Sequence, residues 1–256
     1  MLMIYEERLL KSVSKAGRIL LESGAEIYRV EESINRVLNC LHVEEGSAFV
    51  TPSGIFVSFI SDGKTYSKVV RVTSSSLNLT RINEINQASR DICSGLIGLE
   101  EFEERVRICG LKEYNTPTMD CWYSAIIAMS FTVFYGGMIW DAVAGFIAGF
   151  LVRCGQIFFA RRKLNSFVAI GLCSALIVLF ACLFSTLPLP FQRDVMIIGS
   201  MMLLVPGLAF TNAIRDCFAG DYLSALTRAT EAILIAISLA VGAGIVLSLW
   251  MLGGGA

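Results

Sequence analysis

A few charges set among apolar residues are the groups in this chain best placed to do chemistry. Asn212, Arg215 and Asp216 fall at i, i+3 and i+4, so one helical face carries an amide, a cation and a carboxylate. They follow Leu204-Val205-Pro206-Gly207. Pro206 removes one backbone hydrogen bond and Gly207 loosens the next turn, so the helix is expected to kink or break there. In membrane proteins such breaks leave carbonyl and amide groups lining a site for substrate or ion. After Gly220-Asp221 the chain turns, and Arg228 and Glu231 recur three apart. Asp216 and Glu231 are the candidate proton-linked carboxylates. Arg215, Arg228 and Arg153 can each hold a substrate carboxylate by bidentate contact. Arg153 lies eight residues before Arg161, about 12 Å along a helix, with Gln156 three residues further on the same face. An ionised group at membrane depth is costly and normally faces protein, water or substrate. Snorkelling of Arg153 and interfacial ion pairing of the others are the plainer alternatives.

A second charged group, Glu26, Arg29, Glu31 and Glu32, lies far upstream. Glu26 and Arg29 are three apart and can pair on one helix, worth about 0.2–0.5 kcal/mol. A solvated helix face competes here with a cytosolic gate or subunit contact formed by Glu26, Arg29 and Glu31. Paired carboxylates also serve hydrolases, but no serine or cysteine nucleophile stands at readable spacing from a base. His42 is the one histidine, and none of the eight cysteines forms a C-x-x-C pair. No metal site and no cofactor is therefore expected. No P-loop is present, so no ATP motor is read.

These groups need elements to hold them, and composition says what kind. Hydrophobic residues make up 55% of the 256, charged residues only 17%, and mean hydropathy is +0.65. Soluble domains usually carry about 25% charged residues. Net charge is −1, which gives no basic field for nucleic acid. The charges are unevenly spread: residues 1–121 hold 14 Lys/Arg and 17 Asp/Glu, residues 122–256 only 7 and 5. The division suggests a soluble α+β domain over 1–120 and an all-α membrane domain over 121–256. Within the first, apolar stripes over 5–41 predict two helices broken near Ser23-Gly24, residues 47–73 switch to strand period with Asp62-Gly63 as a hairpin turn, and helices follow at 79–94 and 99–108.

A helix needs about 20 apolar residues to cross the hydrocarbon core. Five spans are predicted, at 122–139, 141–160, 167–187, 195–214 and 229–250. The opening residues do not read as a signal peptide. Arg161-Arg162-Lys163, Arg215 and Arg228 then mark inner loops, whereas outer loops carry only Arg193. This predicts a cytosolic amino terminus and Ala256 outside, in the cell membrane. Five spans begin and end on opposite sides, as half of an inverted repeat requires. The expected partners are the bilayer, a small-molecule substrate and a second small membrane subunit of inverted topology.

The runs Leu204–Asp216, Gly220-Asp221 and Arg228-Ala229-Thr230-Glu231-Ala232 resemble the signature of the threonine/serine exporter family. So does Gly24-Ala25-Glu26-Ile27-Tyr28-Arg29-Val30-Glu31-Glu32. Ala225 departs from the pattern, standing where the family usually has glycine. The resemblance implies a cytosolic domain joined to five spans. It also implies a split form that works with a separate membrane protein and exports threonine, serine or a dicarboxylate such as succinate. The sequence thus reads as a subunit of an ion- or proton-coupled secondary exporter rather than an enzyme. A membrane-tethered hydrolase and a sensor or scaffold acting through the first domain are the rival readings.

Overall fold

The computed structural model describes residues 5–41, 43–73, 76–112 and 116–253. His42 and Ala256 lie outside the described residues. Two compact units emerge from the chain. One comprises the described part of Met1–Lys112 together with Asn212–Arg228; the other comprises the described part of Glu113–Thr211 and Ala229–Ala256.

In the first unit the amphipathic stripes form α1 (Tyr5–Glu22) and α2 (Ile27–Cys40), separated at Gly24, whose φ is +80°. Three strands follow, β1 (Glu44–Thr51), β2 (Gly54–Ser61) and β3 (Lys64–Arg71), paired antiparallel in that order. Asp62 and Gly63 turn β2 into β3 with φ of 50° and 69°, the left-handed pair that a two-residue hairpin needs. Alternation puts Val50, Ile55, Val57 and Phe59 on the buried face. That face packs with Leu9 and Val13 of α1 and Val30, Ile34 and Leu38 of α2. Helices α3 (Leu79–Cys93) and α4 (Leu99–Leu111) complete the core with Ile85, Phe102 and Val106. The α+β character expected here is present.

The second unit is built on α5 (Pro117–Phe134), α6 (Ile139–Arg161), α7 (Ser166–Phe184), α8 (Arg193–Met201) and the greater part of α10 (Tyr222–Leu252). The expected five-span membrane domain is not what forms. Among the described residues three helices are long and apolar enough to cross a membrane: α6, α7 and α10. The stretch 195–214 folds as α8 and α9 (Gly207–Phe218), with a non-helical turn over 202–206 between them. Pro206 has no N–H to continue the ladder. Nine and twelve residues reach only about 14 and 18 Å, against a core of about 30 Å. Of the stretch 122–139, residues 122–134 lie in α5, which starts at Pro117 and takes in Thr118, Asp120 and Ser124, polar groups that dilute its apolar run; 135–138 are a turn, and Ile139 opens α6. The last predicted span is part of a longer helix, α10, of 31 residues.

Close backbone approach holds these helices together. A Cβ on Gly199 of α8 would lie 2.6 Å from the Thr132 backbone of α5. One on Gly242 of α10 would lie 2.1 Å from the Gly171 carbonyl of α7. Small residues at such crossings are the usual means of helix association in lipid. Asp141, fully buried at the start of α6, supplies a polar tie. Its carboxylate accepts the Met138 N–H at 2.7 Å and the Gln192 N–H at 2.6 Å, fixing the approach to α8. An asparagine there would turn an NH2 group toward one of those donors. Hydrogen bonds to charged groups contribute about 1.5–3 kcal/mol. Asp141→Asn is therefore expected to lower the thermal unfolding midpoint of the detergent-purified chain by several degrees; an unchanged midpoint would show that this tie contributes nothing.

Candidate functional site

The first unit gathers charges from two distant parts of the chain. Glu26 stands immediately before α2 in extended conformation, and its side chain makes no capping bond to the helix. Instead one carboxylate oxygen lies 2.8 Å from Arg29 Nε, and the other pairs with Arg215 of α9. One turn further along α2, Glu31 Oε1 accepts the Val50 N–H at 2.8 Å, tying the helix to β1. Burial pushes the Glu31 carboxyl above the usual carboxylate range; the Val50 N–H opposes this, and the charge on Asp221 adds to it.

Gly220 ends α9 at φ +84°, with its N–H on the Cys217 carbonyl and the Asp221 N–H on the Asp216 carbonyl. This is a Schellman closure that only glycine adopts without strain. Asp221 then caps α10 by accepting the Ser224 N–H at 3.1 Å. The resulting tight turn brings Arg228 back onto Asp216, Nε to Oδ2 at 3.1 Å. Their side chains are 13% and 3% exposed. The two atoms are within ion-pair range but are not aligned for a hydrogen bond, and among the described residues neither has another hydrogen-bond partner. Burial drives the Asp216 carboxyl upward; Arg228 pulls it back, and Asp221 adds to the rise.

Of the residues singled out from sequence, the fold therefore joins Glu26, Arg29, Arg215, Asp216 and Arg228 in ion pairs, with Glu31 and Asp221 beside them. Others stand apart. Arg153 on α6 donates to Asp120 Oδ2 at 2.8 Å and to Gln156 Oε1 at 3.1 Å. Glu231 is exposed and forms no ion pair among the described residues. Asn212 is half-buried on α9, and Pro206 and Gly207 mark the start of that helix. Sequence reasoning missed Asp120 and the buried role of Asp141. The signal for Asp120 was its position at the edge of the uncharged stretch 121–140. Among the described residues no group of three or more His, Cys, Asp or Glu could hold a metal ion.

Both charged segments fall inside one family match. Residues 11–250 match the family described as "Putative threonine/serine exporter". The chain belongs to the threonine/serine exporter family. It is similar to the "Probable succinate transporter subunit YjjP" of Escherichia coli (strain K12), 25% identical over 248 residues and covering 94% of each chain. It is likewise similar to the protein of the same description from Klebsiella aerogenes, 23% identical over 242 residues, or 92% of this chain and 91% of that one. No solved structure matches. As a member of this family with helices apolar enough to cross a membrane, the chain is a membrane transport protein.

Removing one partner of a buried pair leaves an uncompensated charge, at a cost of about 3–5 kcal/mol. Arg228→Gln is expected to destabilise the chain by up to about that much at neutral pH. The sign with pH follows from the raised Asp216 carboxyl. Its stabilising contribution is present below the ordinary carboxylate pKa and is lost as pH rises through the raised value. The deficit of Arg228→Gln should consequently shrink on acidification, and Asp216→Asn in the same chain should remove that pH dependence. Thermal unfolding of the three proteins between pH 7.5 and pH 4.5 reads both effects; a deficit independent of pH would contradict the assignment.

Proposed function

We propose that this chain is one subunit of a proton-linked secondary exporter for small carboxylate metabolites, with dicarboxylates of the succinate class preferred over threonine and serine. The observation that carries the reading is the meeting of Glu26 with Arg215, 189 residues apart in sequence, beside the buried Asp216–Arg228 pair. Each guanidinium in the cluster is already held by a carboxylate. A substrate carboxylate can take the place of Glu26 on Arg215 or Arg29 as an exchange of like for like, without exposing a lone cation. Protonation of Asp216, which burial favours, releases Arg228 in the same way. Two cations made available together suit a substrate with two carboxylates, and the related subunits named for succinate support that choice. Within the second unit, Arg153, Gln156 and Asp120 form a separate polar step, and Glu231 remains a candidate carboxylate on α10.

A second membrane subunit completes the pathway in this reading. The relatives' description as subunits supports it; an odd count of five spans does not, since three helices among the described residues are long and apolar enough to cross. The loop Arg161-Arg162-Lys163, between α6 and α7, faces the cytosol by its excess of cations.

Efflux from preloaded cells expressing this chain with and without its membrane partner tests the proposal. Succinate should leave faster than threonine, and only with both proteins present. Glu26→Arg should slow efflux at least tenfold, while Glu26→Arg combined with Arg215→Glu should restore much of it. A swap that restores nothing, with both proteins normally inserted, would remove the pair from the mechanism; faster threonine efflux would overturn the substrate class.

The loop's side has its own measurement. A cysteine placed at Ser166, in a chain cleared of native cysteines, should react with an impermeant maleimide in inverted vesicles and not in intact cells. Labelling from outside would reverse the orientation.

A further inference from the structure

Helices α5 and α6 enclose a groove of about 310 Å³ on the surface of the second unit. Its walls include Trp122, Phe150, Cys154, Ile157 and Phe158, and Arg161 stands at one end. The Trp122 and Phe150 rings, both part of its lining, meet edge-on with centroids 5.4 Å apart. From Phe150 to Arg161 is eleven residues of α6, or about 16 Å. That is close to the depth of one leaflet, half of a hydrocarbon core of about 30 Å.

The charge at the open end is unbalanced. The other arginines of this unit, Arg153 and Arg193, each have a carboxylate partner, at 2.8 and 3.5 Å. Arg161, Arg162 and Lys163 are exposed, and none has an ion pair among the described residues. Arg162 lies over the Phe158 ring, 5.3 Å from its centroid, which holds its guanidinium against the groove wall. An aromatic-lined apolar channel one leaflet deep, with cations only at its end, matches an amphiphile with a long apolar chain and an anionic head.

We propose that this groove binds an anionic phospholipid, one acyl chain lying along Trp122, Phe150 and Ile157 and the phosphate resting on Arg161 and Arg162. The apolar wall supplies affinity shared by all phospholipids, and the two arginines supply the preference for negative charge. A juxtamembrane cation is worth about fivefold in binding an anionic lipid surface, so the pair should give about 25-fold.

Native mass spectrometry of the full chain in non-ionic detergent tests this with phosphatidylglycerol, phosphatidylcholine of the same acyl chains, and glycerol phosphate as a free headgroup. Phosphatidylglycerol should be retained about 25-fold better than phosphatidylcholine, and glycerol phosphate should not compete. Arg161→Gln with Arg162→Gln should bring the two lipids level, whereas Arg161→Lys with Arg162→Lys should keep the preference. Phe150→Ala should weaken both lipids alike. Should the glutamine variant fail to fold, Arg193→Gln and the lysine variant still bound the answer: only loss at 161 and 162 is expected to matter. Phosphatidylglycerol preference that survives in a folded glutamine variant overturns the proposal, as does displacement by glycerol phosphate or equal binding of both lipids to the unaltered chain.

Discussion

A charge withdrawn from water must meet an opposite charge or a set of hydrogen bonds, and much of this structure can be traced to that demand. Asp216 is buried against Arg228. Asp120 holds Arg153, and Asp141 is shared by two backbone donors. In each case the partner comes from a different element or from across a turn, so satisfying the charge also fixes geometry. The Asp216–Arg228 pair forms across the turn between α9 and α10, and Gly220, at φ +84°, permits that turn. Coulombic gain in such pairs roughly offsets desolvation, so their main effect is to specify an arrangement rather than to stabilise it.

The apolar helices obey a complementary rule. Lipid offers no hydrophobic force to drive helices together, so contact depends on backbones approaching closely. Gly199 against Thr132 and Gly242 against Gly171 provide that approach. The polar tie at Asp141 then sets which end of α6 lies beside the segment entering α8. Packing and polar satisfaction thus act on the same helices at different points along their length.

Sequence periodicity read the first unit well because its elements are short, amphipathic and bounded by turn residues. Gly24, Asp62-Gly63 and Gly220 each mark the turn that their composition suggests. The two charged segments were also visible as segments. Their convergence was not, because no local pattern relates Glu26 to a residue 189 positions away. The membrane half misled for a different reason. Absence of charge over 195–214 reads as one span, but the break expected at Pro206 is complete enough to divide the stretch into two short helices, neither long enough to cross. Hydropathy reports what a segment can enter; it does not report whether its backbone ladder is unbroken. Asp141 shows the limit from the other side, since a sequence displays the carboxylate but not the two N–H groups waiting for it.

The first unit is discontinuous, for it takes in Asn212–Arg228 as well as the amino-terminal residues. Synthesis at about 5–20 residues per second separates Lys112 from Arg228 by roughly 6–23 s. During that interval Glu26 has left the ribosome but Arg215 has not, and helices α5 to α8 are made in between. The local pair Asp216–Arg228 can close as soon as its own turn emerges, whereas the Glu26–Arg215 contact waits for a loop of most of the chain to close. The amino-terminal unit is therefore among the first parts to be made and among the last to be finished, and its completion requires that the intervening helices have already been synthesised.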